Sequence, residues 1–264
     1  MSGNVEAPRS RPGRVPILMY HAVSPVPDPR FSKYTVTPAA FLAQIRWLAR
    51  AGFHTITPDD LVAARTRGAA LPPRPVMITF DDGFRDTAHD APPILAAHGF
   101  RAVFYLVTGL AAATSRWMVP EVGVELPLIG WDEARTLETD GFICGSHSVT
   151  HPRLARVPLD DCRRELHDSR RSLEDALGRA VTDLAYPFGS HDDHVVEAAQ
   201  EAGYLTAVTT EEGFSTDEPM LRLRRLPVEG RDSLLDFRFR VLTGRTPGGW
   251  WQLARERLRL RHER

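Results

Sequence analysis

Two short stretches of the chain carry residues whose types and spacing suit metal-assisted hydrolysis. The first is Thr79-Phe80-Asp81-Asp82-Gly83, where two adjacent carboxylates run into a glycine. Like charges this close resist joint ionisation, and a bound cation is the simplest remedy. The second is His147-Ser148-Val149-Thr150-His151-Pro152, two imidazoles four residues apart. Pro152 disfavours helical backbone at His151, so the pair belongs on a turn and not along a helix face. Two imidazoles and a carboxylate suit a divalent transition metal such as zinc and leave positions open for water and substrate, the mark of a catalytic site.

Such residues need elements that bring them together. Val76-Met77-Ile78-Thr79-Phe80, bounded by Pro75 and Gly83, reads as a buried strand that delivers the two aspartates at its C-terminal end. In α/β folds the loops converge at that edge, and chemistry is assembled there. Pro16-Ile17-Leu18-Met19-Tyr20-His21 reads as a first buried strand that leaves Tyr20 and His21 at an equivalent end. Further strands are predicted over 102–107, 142–146, 183–186, 204–209 and 222–228. Helices are predicted from Thr37-Pro38 up to Gly52, and over 61–67, 86–98, 131–139, 159–177 and 195–202. Strand and helix thus alternate about seven times, the pattern of a parallel α/β barrel or a doubly wound sheet. The longest stretch without a period, 110–130, contains Trp117 and is expected to shape a substrate cleft.

Bulk properties narrow the field. A length of 264 residues suffices for one large α/β domain, and 42% hydrophobic with 25% charged residues is ordinary for a globular protein. A formal charge of −1 gives no field for nucleic acid. Cys144 and Cys162 are too few for a disulfide framework or a cysteine zinc cluster, and both are expected to be reduced. There is no GxSxG elbow around Ser146, no Walker loop and no dinucleotide fingerprint. Residues 1–14 lack an apolar core, and no apolar run is long enough to span a bilayer, so the expectation is a cytoplasmic protein with no transmembrane span.

The expected organisation is a flexible arm over 1–14, a catalytic domain over 15–245 and a basic C-terminal helix or tail over 246–264. In that tail Trp250 and Trp251 lead into Arg255, Arg257, Arg259, Arg261 and Arg264. It suits either weak contact with an anionic membrane surface or a helix docking Trp251, Leu253 and Leu258 on the barrel.

The two site motifs resemble the first two motifs of the polysaccharide deacetylases, the NodB-like carbohydrate esterase family 4. Residues 17–21 are similar to the opening strand of one branch, and Ala185-Tyr186-Pro187-Phe188-Gly189 to the third motif. The resemblance implies an irregular (β/α)7-type barrel, NodB-like, with Asp82, His147 and His151 as metal ligands and Asp81 as general base. It also implies removal of N-acetyl groups from an N-acetylated carbohydrate, whether polysaccharide, lipid-linked sugar or small glycoside. The expected cofactor is Zn2+, with Co2+, Ni2+ or Fe2+ as alternatives. The chemistry agrees: a metal draws the pKa of a coordinated water towards neutrality, and an adjacent free carboxylate takes its proton as it attacks the amide carbonyl. Tyr186, Pro187, Phe188 and His191 are expected at the substrate, with Tyr186 contributing to oxyanion stabilisation.

Two departures qualify the likeness. Many members carry an arginine at the place of Ala185, where it orients the catalytic aspartate, so another group must steer Asp81 here. Many also end in a Leu-x-His motif whose histidine protonates the leaving amine, whereas Arg224-Arg225-Leu226-Pro227-Val228 contains none. An amine departs poorly as an anion, so a proton donor is needed, and His21 is preferred over His191. Two alternative functions remain open on the sequence: hydrolysis of another linear or cyclic amide, and carbohydrate binding without turnover.

Overall fold

The computed structural model describes residues 13–247. In chain order the strands are β1 (Ile17–Tyr20), β2 (Ala22–Val23), β3 (Thr35–Val36), β4 (His54–Thr55), β5 (Pro75–Phe80), β6 (Val103–Leu106), β7 (Ile143–Ser146), β8 (Asp183–Ala185), β9 (Thr206–Glu212) and β10 (Leu223–Pro227). The helices are α1 (Pro38–Arg50), α2 (Pro58–Arg67), α3 (Arg85–Ala96), α4 (Val119–Val122), α5 (Trp131–Thr139), α6 (Leu159–Leu177), α7 (Asp193–Glu201) and α8 (Leu234–Thr243).

Seven strands form a parallel ring in the order β1-β10-β9-β8-β7-β6-β5, and β5 returns to β1 through the pairs from Ile17↔Met77 to Tyr20↔Phe80. This is the (β/α)7-type barrel expected from the sequence. The short β4 adds to the far side of β5, and β2 with β3 forms a separate two-stranded piece. Strand side chains alternate between two cores. Ile17, Met77, Val103, Tyr105, Ala185, Val208 and Leu223 pack together inside the ring. Leu18, Ile78, Phe80, Phe104, Cys144 and Leu226 face outward and pack with the helices. Cys144 and Cys162 are buried free thiols.

Local chemistry sets the helix ends. Thr37 accepts a hydrogen bond from the Ala40 amide ahead of Pro38, and Thr57 with Asp60 forms a capping box for α2. Helix α6 stops at Gly178, whose φ of +69° is costly for other residues. Three findings differ from the sequence reading. Strand β9 runs on to Glu212, the segment 110–130 contains the short α4 and a 3-10 turn over Arg116–Met118, and α8 follows Arg231 where no motif was visible. The signal for α8 was present, since Ser233 and Asp236 make a capping box and Gly244 closes the helix. The basic tail, with Trp250 and Trp251, lies outside the described residues, as do residues 1–12 of the N-terminal arm. No helix among the described residues is long and apolar enough to cross a membrane.

Candidate active site

Strand β5 ends at Phe80, but the next residue keeps its register: the Asp81 amide donates to Tyr20 O at 3.0 Å. The inward face of β5 therefore continues through Met77 and Thr79 to Asp81. Asp82 (φ +71°) and Gly83 (φ +69°) then turn the chain off the rim. Inside the ring Asp81 meets Arg225 of β10. Nη1 of Arg225 donates to Oδ1 at 2.7 Å and Nη2 to Oδ2 at 2.6 Å, a bidentate pair between a fully buried arginine and a buried carboxylate. The guanidinium is fixed in turn, because Nε donates to Thr209 O and Nη1 also to Thr79 Oγ1. Burial pushes the Asp81 pKa up, but the charge and hydrogen bonds of Arg225 prevail and hold the carboxyl below its usual range.

Sequence reading missed Arg225, which is the group that holds Asp81 where position 185 is an alanine. The available signal was its parity: Leu223, Arg225 and Pro227 alternate on one face of the last strand, so a leucine and an arginine share the interior.

The two histidines leave the end of β7. The His147 amide still pairs with Leu106 O at 2.9 Å, after which Ser148 (φ +65°) and His151 (φ +63°) adopt left-handed backbone. Such conformations strain residues other than glycine and persist where their surroundings fix them. Here Glu165 of α6 accepts from the amides of Val149 and Thr150 and from the Thr150 hydroxyl, and Ser148 Oγ accepts from the His151 amide.

Asp82, His147 and His151 are brought together. His151 Nε2 lies 3.1 Å and His147 Nε2 3.4 Å from Asp82 Oδ1, and the two Nε2 atoms are 3.2 Å apart. All three residues are buried. His147 Nδ1 donates to Ala185 O at 2.7 Å, which fixes the tautomer and leaves the Nε2 lone pair directed at the cluster. Burial pushes the Asp82 pKa up, yet its contacts with both imidazoles hold it well below the carboxylate range. Burial disfavours charge on both histidines; Asp82 and Asp81 outweigh it at His147, whose pKa rises, whereas that of His151 falls. Two imidazole nitrogens facing each other need a proton or a cation between them. An ionised carboxylate beside them makes a divalent metal fit this donor set.

The trio and Asp81 lie at the floor of a cavity of about 450 Å3. His21, Tyr34, Phe188, Pro227 and Val228 are among its walls, and Trp117, Met118, Glu121 and Val122 come from the aperiodic segment expected to shape a cleft. His21 Nδ1 is buried with no hydrogen-bond partner among the described residues, and its ring packs 5.0 Å from that of Tyr34. The other substrate-facing expectations separate. Phe188 lines the cavity, whereas Tyr186, Pro187 and His191 do not. On β8 the inward position is Ala185, so Tyr186 points outward among Leu166, Val195 and Tyr204. Its hydroxyl donates to Leu221 O and its amide to Val208 O, which leaves neither for an oxyanion. His191 stacks on Tyr186, and its Nδ1 donates to Gly189 O.

Residues 68–207 match the family described as polysaccharide deacetylase. The chain belongs to that family. Among polysaccharide deacetylases and their relatives, it is 28% identical over 219 residues to YxkH of Bacillus subtilis (strain 168), a match covering 83% of this chain and 72% of that one. It is 23% identical over 192 residues to a Staphylococcus aureus poly-beta-1,6-N-acetyl-D-glucosamine N-deacetylase, covering 68% of this chain and 62% of that protein. Among solved structures, Streptococcus pyogenes deacetylase PplD in complex with acetate superposes with a TM-score of 0.75 at 27% identity, over 85% of this chain and 96% of that one.

Proposed function

We propose that this polysaccharide deacetylase family member is a metal-dependent hydrolase that releases acetate from an N-acetylated carbohydrate. The observation that carries the reading is the placement of an arginine-held, ionised Asp81 beside the Asp82, His147 and His151 trio at the floor of one cavity. Asp82, His147 and His151 would hold the ion, with zinc the best match to two imidazoles and a carboxylate. A divalent metal bound there supplies Lewis acidity to an amide carbonyl and lowers the pKa of water.

The protein's own groups do the rest. Asp81, kept charged by Arg225, takes the proton of the attacking water as general base. His21, which lines the same cavity and whose buried Nδ1 has no partner among the described residues, would give a proton to the departing amine. Phe188 and Trp117 offer apolar faces to a sugar ring. The names of the relatives support the substrate class: one acts on an N-acetylglucosamine polymer, and another was solved with acetate, the expected product. The arguments for a non-catalytic binder were the missing arginine and the missing terminal histidine; the pairing of Arg225 with Asp81 answers the first, and His21 is proposed in answer to the second.

The test is metal content and acetate release measured on the same samples. Wild type should hold about one equivalent of transition metal and release acetate from N-acetylglucosamine oligomers, His147→Ala should lose both, and His21→Asn should keep the metal and lose turnover. Acetate from none of the sugars, with ammonia or amine released from another amide in a panel, would replace this substrate class with the other-amide reading.

A further inference from the structure

His147 and His151 point at the same place but are held there differently. His147 donates from Nδ1 to a strand carbonyl. Nδ1 of His151 is buried and has no hydrogen-bond partner among the described residues. A histidine ligand is ordinarily oriented by a partner at its far nitrogen, and the χ2 torsion of an imidazole is soft without one. The left-handed backbone of His151 adds no restraint on the ring itself. Yet Nε2 of His151 lies nearer to Asp82 than that of His147 does, at 3.1 against 3.4 Å.

Aromatic surfaces surround the ring instead. Trp117 stacks on it with centroids 4.6 Å apart and an interplanar angle of 27°, while Phe188 and His147 meet it edge-on at 4.6 and 4.8 Å. The indole is the ring stacked face to face on it among the described residues, and covering a face blocks the rotation that a hydrogen bond would otherwise prevent. We propose that Trp117 is a positioning residue for the metal: its indole, in place of a hydrogen bond, keeps the His151 imidazole aimed at Asp82.

The backbone around it is built to the same end. The segment that carries Trp117 is tied to the turn that carries His151 by two hydrogen bonds, Thr108 N to Ser148 O at 3.1 Å and Gly109 N to Val149 O at 2.9 Å. A Cβ at Gly109 would sit 2.6 Å from Val149 Cγ1 and 2.7 Å from Val149 O, so only glycine allows this approach. Past the turn, Arg153 donates to Glu121 at 2.9 Å, closing a second link between the same two segments. Trp117 and His151 therefore keep their relative placement as one unit. Trp117 also lines the cavity, so an effect on substrate must be separated from an effect on the ion.

This inference rests on the proposed metal site but not on the substrate, so its readout is zinc. The affinity of metal-free full-length protein for Zn2+ is measured by competition with a chromogenic chelator, alongside KM and kcat. Trp117→Ala should weaken zinc binding about tenfold or more, the usual effect of removing a group that orients a ligand. Trp117→Phe, which restores a ring face, should bind close to wild type. In a His151→Ala background Trp117→Ala should cause no further loss, because the two act as one unit. Trp117→Leu keeps apolar bulk without a ring face and should behave like alanine, so a misfolded alanine variant does not decide the matter. Wild-type zinc affinity in Trp117→Leu with only KM raised would reduce Trp117 to a substrate wall and overturn the proposal, as would an undiminished effect in the His151→Ala background. A wild type that takes up zinc without releasing acetate would sink the substrate reading separately.

Discussion

The barrel buries two aspartates on its inward face, one at each end, and they meet opposite fates. Asp81, at the C-terminal rim, is gripped by Arg225 and stays below the usual carboxylate range. Asp183, in the inward register two residues before Ala185, has an Oδ2 with no partner among the described residues. Burial, helped by the charges of Asp59 and Glu138 and only partly opposed by Arg179, pushes it up to about 7. The two are similarly buried, at 4% exposure each. Burial by itself favours the neutral form of a carboxylic acid, and a countercharge on the neighbouring wall is what keeps one ionised. In this fold Arg225 makes that difference, and Gly145 helps to make room for Asp183, since a Cβ there would collide with the Asp183 carboxyl and the Tyr105 ring.

Removing the proposed base should give the largest effect. Asp81→Asn should lower kcat for deacetylation by about 10²- to 10⁴-fold while the bound metal, measured by mass spectrometry, stays near wild type. Loss of the metal as well would mean that Asp81 belongs with the ligands and not with Arg225.

Arg225→Met should make Asp81 behave like Asp183. Stripping one partner from a buried ion pair costs about 3–5 kcal/mol, readable by denaturant unfolding at neutral pH. The acid limb of kcat/KM against pH should move upward, because Asp81 then protonates more readily. An unmoved limb in a folded Arg225→Met protein would show that Arg225 does not tune the base.

The pH dependence of stability should carry opposite signs at the two sites. Asp81 has a depressed folded pKa, so its contribution is present above the ordinary carboxylate pKa of about 3.9 and is lost as pH falls through the lower folded value. Asp183 has a raised one, so the stability it contributes is complete below about 3.9 and is lost as pH rises through about 7. Asp183→Asn should remove that second dependence, amounting to a few kcal/mol between roughly pH 4 and 7, and leave kcat nearly unchanged. A pH-stability curve that overlies wild type across this window would mean that Asp183 is ionised in the fold.

The smallest effect should come from the same chemistry in water. Arg153 and Glu121 form an ion pair with side chains 37% and 46% exposed. Arg153→Gln should change unfolding free energy by less than about 1 kcal/mol. A larger loss would show that this link between the two cavity segments is more than a surface pair.

Much of the site was legible because it is local. An apolar run ending in Asp81-Asp82-Gly83 and a strand ending in His147 announce themselves within a few residues, and helices α5 and α6 have the predicted bounds because their apolar spacing and, for α6, a closing Gly178 mark them. What escaped depends on partners distant in sequence or on facing. Arg225 reaches Asp81 across 144 positions, and no local pattern says that their strands converge on one interior. Tyr186 was expected at the substrate, but one step beyond Ala185 reverses the direction of a strand side chain and sends it outward. The stack of Trp117 on His151 joins an aperiodic segment to a turn, and nothing in either composition specifies the pairing.

Closure of the ring carries a consequence for how the chain acquires its chemistry. The last strand, β10, completes the circle by pairing with β1, so Leu226 must find Leu18 after most of the chain has been laid down. Contacts so distant in sequence form late, since the entropy of closing a long loop must be met before they reward it. Until then Asp81 lacks its guanidinium and is a desolvated acid that a growing core would rather protonate or expel. The same event that seals the barrel therefore supplies the countercharge of the proposed base, and on the proposed mechanism a partly folded chain that had already gathered Asp82, His147 and His151 would still be inert.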